Sequence, residues 1–170
     1  MKRIGLISDT HGYFDEKIYK YFSECDEIWH AGDIGSLEVT DKLSEIAPVK
    51  AVYGNIDNYQ IRSEYPKDLR FNCEGMDVWI THIGGKPYVY NKYTRPIMMS
   101  SPPDIFVCGH SHILLVQYDK KVKCLCLNPG AAGIKGFHKT KTLIRFTIEK
   151  GKASNMEVIE LGPRSTLNDL

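Results

Sequence analysis

The sequence lacks a long hydrophobic run. Its apolar stretches, such as Ile105 to Cys108 and Ile113 to Val116, are far shorter than the roughly 20 residues that cross a membrane. Lys2 and Arg3 place positive charge near the start, but the apolar run behind them is too short for a secretory signal. We therefore expect no membrane span and predict a cytoplasmic protein.

An excess of charge of one sign is also missing. The 170 residues include 22 basic and 21 acidic side chains, which give a formal net charge of +1 without a block of like charge. Because charge-driven binding of nucleic acids requires a basic face, the sequence offers no evident nucleic-acid surface. The apolar fraction of 42% is typical of globular proteins. We predict one domain over residues 1–162 and a polar tail over residues 163–170.

Paired cysteines are the third absence. The five cysteines are an odd number, and no two of them form a C-x-x-C motif. This argues against a cysteine zinc site or a redox motif and favours free thiols in a reducing compartment. Cys124 and Cys126 lie two residues apart in a strand-like run, so they share one face and indicate core rather than a disulfide.

What the sequence does contain is a series of short apolar runs that end in polar residues. Runs of four or five residues, rich in Ile and Val and bounded by turn residues, are typical of buried strands. Ligands of such sheet proteins bind beyond the carboxyl ends of the strands, so the polar residues should converge there. The runs and their ends are Ile4 to Ser8 before Asp9-Thr10-His11, Glu27 to His30 before Ala31-Gly32-Asp33, Val49 to Tyr53 before Gly54-Asn55, Val78 to Thr81 before His82, Asp104 to Cys108 before Gly109-His110-Ser111-His112, and Cys124 to Leu127 before Asn128-Pro129-Gly130.

Helical patterns separate the first three runs. Asp15 to Cys25 has apolar residues at helical spacing, and Ser36 to Ala47 begins with a capping serine and ends before Pro48. Hairpins are predicted from Leu69 to Ile83 with a turn at Glu74-Gly75, from Leu114 to Leu127 near Asp119-Lys120, and from Thr142 to Leu161 near Lys150-Gly151. Parallel units followed by hairpins predict an α/β fold, a four-layer α/β/β/α sandwich of two mixed sheets.

Seven residues at the predicted strand ends can ligate metals. Each has an ordinary explanation when taken alone: an aspartate can cap a helix, a Gly-Asn pair forms turns, and a single histidine is usually structural. Together they include four of the six histidines, which indicates a shared site. Seven ligands are too many for one tetrahedral zinc and fit two metals bridged by a carboxylate, for which Asp33 is the natural choice. The set is Asp9, His11, Asp33, Asn55, His82, His110 and His112.

The order of these residues resembles that of the calcineurin-like metallophosphoesterases, whose motifs are D-x-H, G-D, G-N, a lone histidine and G-H-x-H. All five motifs are present, and the resemblance covers residues 4 to 161. The length and the segment Asn128-Pro129-Gly130 resemble the small bacterial and archaeal phosphodiesterases of the YfcE-like group. The resemblance implies that one ion is held by Asp9, His11 and His112, that Asp33 bridges, and that a second ion is held by Asn55, His82 and His110.

The resemblance also implies a reaction, the hydrolysis of a small phosphodiester substrate by a hydroxide that bridges two divalent metals. Imidazole and carboxylate ligands favour transition metals, with manganese first and nickel, cobalt, iron or zinc as alternatives. Many relatives have G-N-H after the third strand, where the histidine protonates the leaving group, but this chain has Ile56. Because general acid catalysis contributes about 10²–10⁴-fold, we expect activity on aryl diesters and weak activity on alkyl monoesters.

Other functions stay open at this stage. One is a protein-interaction scaffold of the same fold, like the retromer subunit, against which the complete ligand set argues. Another is a phosphomonoesterase or phosphoprotein phosphatase, or a dinucleoside polyphosphate hydrolase, against which Ile56 and the short chain argue. Since related small members often associate, a homo-oligomer is a further hypothesis.

Four features have roles that the sequence leaves open. His30 lies inside an apolar strand, which favours a hydrogen-bonded core histidine over a ligand. Asp57 either orients a ligand or forms a turn. His138 is a weak candidate for contact with a phosphate oxygen. The segment Lys86 to Pro103 is rich in tyrosine and either recognises the organic part of the substrate or makes core or oligomer contacts.

Overall fold

The computed structural model describes residues 1–165, which form two five-stranded sheets, a short hairpin and four helices. The strands are β1 (Lys2–Ile7), β2 (Glu27–His30), β3 (Val49–Ala51), β4 (Asp68–Cys73), β5 (Met76–Thr81), β6 (Gly85–Lys86), β7 (Val89–Tyr90), β8 (Ile105–Val107), β9 (Leu115–Asp119), β10 (Cys124–Asn128), β11 (Thr140–Glu149) and β12 (Lys152–Pro163). The helices are α1 (Lys17–Phe22), α2 (Leu37–Ser44), α3 (Tyr59–Glu64) and α4 (Arg95–Ser100).

Both large sheets are mixed. The first has the order β12-β11-β1-β2-β3, and the second has the order β4-β5-β8-β10-β9. Strands β1, β2 and β3 are parallel to one another, and so are β5, β8 and β10. The remaining strands pair in antiparallel fashion. Parallel neighbours place their carboxyl ends at one edge of a sheet, and each sheet therefore has one such edge.

Alternating side chains on β1 separate two layers of core. Ile4 and Leu6 face the second sheet, while Ile7 faces α1, α2 and α3. Gly5 also faces α1, where an added Cβ would lie only 2.8 Å from the Phe22 ring. The missing side chain therefore lets the helix pack closely against the strand.

The second sheet repeats this alternation. Ile105 and Val107 of β8 pack between the sheets, while Phe106 packs on the outer face with Met98 of α4. The layers are thus helices α1 to α3, the first sheet, the second sheet, and α4 with the β6–β7 hairpin. The predicted α/β/β/α sandwich is confirmed.

Several local predictions are confirmed as well. The Ser36 side chain accepts a hydrogen bond from the backbone N–H of Glu38 at 3.3 Å, which caps α2 as expected. The hairpin turns at Glu74-Gly75 and Lys150-Gly151 have positive φ at both positions, as type I′ turns require. All five cysteines are buried free thiols.

The last strand ends close to the predicted domain boundary at residue 162. Strand β12 runs through Pro163, one residue past the predicted domain end, and Arg164 Nε donates to the carbonyl oxygen of His138 at 2.9 Å. The rest of the predicted tail, residues 166–170, lies outside the described residues. In residues 1–165 no helix is long and apolar enough to cross a membrane.

Candidate metal centre

The site lies where the carboxyl ends of β1, β2, β3, β5 and β8 meet. Backbone hydrogen bonds join neighbouring loops: Asp9 N–H donates to the oxygen of Gly32 at 3.0 Å, and Gly109 N–H donates to the oxygen of His82 at 3.0 Å. The backbone N–H of His110 donates to Asp9 Oδ2 at 3.1 Å, which links the second sheet to the first. The structure brings all seven predicted residues together here.

Asp9, His11 and His112 form one group of side chains that could hold a metal. Asp9 is fully buried, and its Oδ1 atom lies 3.1 Å from His112 Nε2 and 4.0 Å from His11 Nε2. These three side chains come from both sheets, so the group exists only when the sheets are packed together.

Asp33, His82 and His110 form a second group. His82 Nε2 lies 3.2 Å from Asp33 Oδ2, and Asn55 Oδ1 lies 3.0 Å from His110 Nδ1. Asn55 thereby lies next to this group.

Asp33 lies between the two groups. The same oxygen that contacts His82, Oδ2, lies 3.4 Å from His11 Nε2 of the first group. Its other oxygen, Oδ1, accepts a hydrogen bond from the backbone N–H of Ile56 at 3.1 Å. One carboxylate oxygen therefore faces both groups while the other anchors the side chain, which is the arrangement that a bridging ligand needs.

Three buried polar atoms of the site lack a hydrogen-bond partner among the described residues, namely Asp9 Oδ1, His11 Nε2 and His82 Nε2. Burying such atoms without a partner costs free energy, and buried polar groups are almost always satisfied. A cation would satisfy all three at once. The mixture of imidazole, carboxylate and amide donors fits a divalent transition metal.

Contacts between carboxylates and imidazoles shift the pKa values of two residues of the site, Asp33 and His82. Burial alone raises the pKa of Asp33, but the nearby imidazoles of His11 and His82 and the backbone N–H of Ile56 outweigh burial and hold this pKa below its usual range. For His82, burial lowers the pKa, yet the contacts with Asp33 and Asp9 raise it above its usual value. Asp33 is consequently an ionised carboxylate, ready to face a cation.

The backbone of the site adopts an uncommon conformation. Five of the seven residues have positive φ, with Asp9 at 54°, His11 at 48°, Asp33 at 54°, His110 at 67° and His112 at 60°. Residues other than glycine rarely adopt this region, and such strain clusters at functional sites. The conformation turns side chains from successive strand ends towards one place.

The glycines of the motifs have a steric reason. A Cβ at Gly54 would collide with the Asp33 carboxylate, and a Cβ at Gly109 would lie 2.6 Å from Asp9 Oδ2. At Gly32 it would lie 2.6 Å from His82 Nδ1. Each glycine therefore makes room for a side chain that comes from another loop.

The comparison with protein families identifies the chain. The model of the calcineurin-like phosphoesterase superfamily domain matches residues 1–151. The chain belongs to this superfamily. A probable metallophosphoesterase from Methanothermobacter thermautotrophicus is 31% identical over 134 residues, which are 75% of this chain and 76% of that protein. The predicted resemblance is confirmed, and the family indicates a metal-dependent phosphoesterase.

Solved structures agree with the fold of this phosphoesterase. An archaeal phosphodiesterase has a TM-score of 0.75 at 21% identity, and the match covers 94% of this chain and 99% of that one. Vps29 from Entamoeba histolytica, in a complex with zinc, has a TM-score of 0.68 at 16% identity and covers 93% and 98%. At such low identity these structures show a shared fold alone.

Asp57, whose role the sequence left open, fixes two loops of the phosphoesterase. Its buried carboxylate accepts hydrogen bonds from the backbone N–H groups of Ile34 at 3.1 Å, Gly35 at 2.8 Å and Gly54 at 2.7 Å. The loops after β2 and β3, which carry Asp33 and Asn55, are thus tied to one side chain. Asp57 therefore acts on the ligands through the backbone of their loops and not by direct contact with an imidazole.

His30 is the core histidine that the sequence predicts. Its Nδ1 atom accepts from the backbone N–H of Gly32 at 3.1 Å, so Nε2 carries the proton and donates to Thr10 Oγ1 at 3.0 Å. Complete burial lowers the pKa of His30 to about 4, which keeps the ring neutral. Its hydrogen bonds support the loops that carry Asp9 and Asp33, and its ring belongs to neither group of possible ligands.

His138 occupies a place that the sequence did not reveal. Its Nε2–H donates to the carbonyl oxygen of Gly133 at 2.8 Å, so its Nδ1 accepts the Nδ1–H of His112 at 3.2 Å. His112 Nε2, the atom next to Asp9, then has no proton. His82 is oriented in the same way, because its Nδ1–H donates to the oxygen of Ala31 at 2.7 Å. No motif predicts the contact of His138, since it depends on how the loop after β10 folds back.

Proposed function

We propose that this chain is a phosphodiesterase that works with two divalent metals, with Mn²⁺ as the first candidate. The observation that carries the proposal is the position of Asp33 Oδ2, 3.4 Å from His11 Nε2 and 3.2 Å from His82 Nε2, between two groups that contain unsatisfied buried atoms. One ion would be held by Asp9, His11 and His112, and the other by Asn55, His82 and His110. Asp33 would contact both ions. When bound, such a pair activates water at neutral pH and neutralises phosphate oxygens.

The protein itself contributes preorganisation and a suitable charge. Hydrogen bonds to His138 and Ala31 keep the Nε2 atoms of His112 and His82 unprotonated and directed into the site. Asn55 adds an oxygen without adding negative charge, which would repel a phosphodiester. The two carboxylates leave a net positive centre once two divalent ions are present.

The proposed preference for diesters with good leaving groups follows from the contacts that the six histidines already make. Ile56 stands beside Asn55, where many relatives have a histidine, and its side chain is 45% exposed. All six histidines lie within the described residues: four belong to the two groups, His30 is buried behind them, and His138 is bonded to Gly133 and His112. None is left to protonate an alkoxide. A phenolate-like leaving group does not need that proton.

A non-catalytic scaffold is the second candidate, because several structural neighbours are Vps29 proteins. Since one Vps29 structure contains zinc, metal binding alone does not separate the two functions. Turnover does.

The test measures hydrolysis by metal-free protein supplied in turn with Mn²⁺, Ni²⁺, Co²⁺, Zn²⁺ and Mg²⁺. The substrates are bis-nitrophenyl phosphate and an alkyl phosphate monoester. We expect metal-dependent turnover of the aryl diester. This turnover should fall at least about 100-fold in Asp33→Asn and in His82→Ala, since replacing even a residue that only hydrogen-bonds to a metal ligand typically lowers activity 10–100-fold. Asp41→Asn, an exposed carboxylate on α2, is the matched control. Absence of metal-dependent turnover would support the scaffold, and turnover that survives both substitutions would contradict the proposed site.

A further inference from the structure

A cavity of about 850 Å³ opens directly beside the second group of the metal centre. Asn55 and His82 form part of its wall, and α3, the start of β4 and residues 91–97 form the rest. Its volume is within the range of roughly 300–1,000 Å³ typical of small-molecule sites. A phosphodiester held between the two groups would direct one of its two ester arms into this cavity.

The walls are suited to a planar group. Tyr53, Trp79 and Tyr93 line the cavity; Trp79 is only 5% exposed, and its Nε1–H donates to Asp68 Oδ1 at 3.3 Å, so Tyr53 and Tyr93 offer most of the aromatic surface. Tyr93 is 70% exposed, so its ring lies at the open side. Aromatic faces bind flat rings by stacking, and each such contact contributes about 0.5–1.5 kcal/mol beyond buried area.

Positive charge accumulates at the same open side. The Nζ atoms of Lys67 and Lys92 lie 5.7 Å and 5.0 Å from the centre of the Tyr93 ring. Within residues 1–165 neither ammonium has a carboxylate oxygen within 4.0 Å or donates a hydrogen bond to any other group. Arg62, by contrast, is already used: its Nε donates to the oxygen of Asp57 at 2.7 Å. The two lysines are thus available to an anion outside the metal centre.

We propose that this cavity binds an ester arm that carries both a planar ring and a further negative charge, as in a nucleoside phosphate. The proposal rests on the proposed function, since the scissile phosphate is placed by the metal centre. The ring stacks on the aromatic wall, and Lys67 and Lys92 bind the second anion. The substrate class is therefore a small nucleotide-like diester rather than a polymer, in agreement with the balanced charge of the chain.

Two substrates that differ by one phosphate test the proposal. Thymidine 5′-nitrophenyl phosphate and its 3′-phosphorylated form have the same scissile bond and leaving group. We expect kcat/KM to be at least about tenfold higher for the phosphorylated form, since a hydrogen bond to a charged group is worth that much. The ratio should fall to about one in the double variant Lys67→Gln/Lys92→Gln. The control is Lys120→Gln/Lys152→Gln, which removes two exposed lysines outside the cavity and should keep the ratio.

A binding measurement separates failure of this inference from failure of the proposed function. Calorimetry with Mn²⁺ present compares the affinities of thymidine 3′,5′-bisphosphate and thymidine 5′-phosphate for the wild type and the lysine variants. One outcome is tighter binding of the bisphosphate that is lost in the Lys67→Gln/Lys92→Gln variant, without turnover of bis-nitrophenyl phosphate. This result would support the inference about the cavity and contradict the proposed phosphodiesterase activity. Turnover of bis-nitrophenyl phosphate with equal kcat/KM and equal affinity for each pair would overturn the inference alone.

Discussion

Two imidazole rings of the metal centre are oriented by hydrogen bonds to groups outside the set of predicted ligands. His112 donates its Nδ1–H to His138, and His82 donates its Nδ1–H to the oxygen of Ala31. In both rings the Nε2 atom is left as the acceptor that faces a carboxylate of the site. The motifs G-H-x-H and the lone histidine predict which rings meet, but they do not contain the partners that set the tautomers. Those partners are distant in sequence, and only the folded chain brings them near.

The substitution His138→Ala should weaken metal binding about 10–100-fold, because the Nδ1 proton of His112 loses its acceptor and the ring loses its orientation. The dissociation constant of Mn²⁺, measured by calorimetry, is the readout. His138→Asn should restore much of the affinity, since an amide oxygen can accept the same proton.

A purely structural role for His138 predicts a different result. Thermal stability would then fall while the dissociation constant of Mn²⁺ stayed the same, and His138→Asn would give no rescue. The neighbouring residue Phe137 provides the control, because its side chain is fully exposed at 104% and Phe137→Ala should change neither quantity.

Secondary-structure elements were predicted best where several independent signals agreed. Strand β2 has the predicted bounds, and α2 has its serine cap. Helices α3 and α4 were missed because neither has a series of apolar residues buried at helical spacing, and α4 buries only Met98. Helix α3 buries only Ile61 among its residues. These two helices flank the cavity beside the metal centre, so the cavity itself was not predicted, although residues of the segment Lys86 to Pro103, which the sequence singled out, line part of it.

Asp57 connects two elements, and its replacement should affect both stability and the site. Asp57→Asn places an amide NH₂ against backbone N–H groups of Ile34, Gly35 or Gly54, so at least one buried donor loses its acceptor. We expect the free energy of unfolding to fall by about 1–3 kcal/mol and metal affinity to fall with it. Urea unfolding and Mn²⁺ calorimetry measure the two effects.

The control for this prediction is the cap of the next helix. Asn58 accepts a hydrogen bond from the N–H of Ile61 at 3.1 Å, and Asn58→Ala should cost about 1 kcal/mol of stability. Metal affinity should not change in this variant. Equal losses of metal affinity in Asp57→Asn and Asn58→Ala would show that general destabilisation, and not the tie between loops, is responsible.

Across the whole molecule, the packing of two sheets creates the site. Each sheet alone carries part of the ligand set: Asp9 and His11 follow a strand of the first sheet, while His82 and His112 follow strands of the second. The sequence predicted this convergence because polar residues follow buried strands. It did not predict the exact partners, such as the position of Asp33 Oδ2 between His11 and His82, since those depend on positive φ values at five residues.

The central claim is that these two groups of side chains bind two metals and that both are needed for hydrolysis. It is tested most directly by adding Mn²⁺ in known equivalents to concentrated metal-free protein and measuring the turnover of bis-nitrophenyl phosphate. We predict that activity stays low up to about one equivalent and rises to a plateau at about two equivalents per chain. Full activity at one equivalent, or activity that is independent of Mn²⁺, would contradict the account.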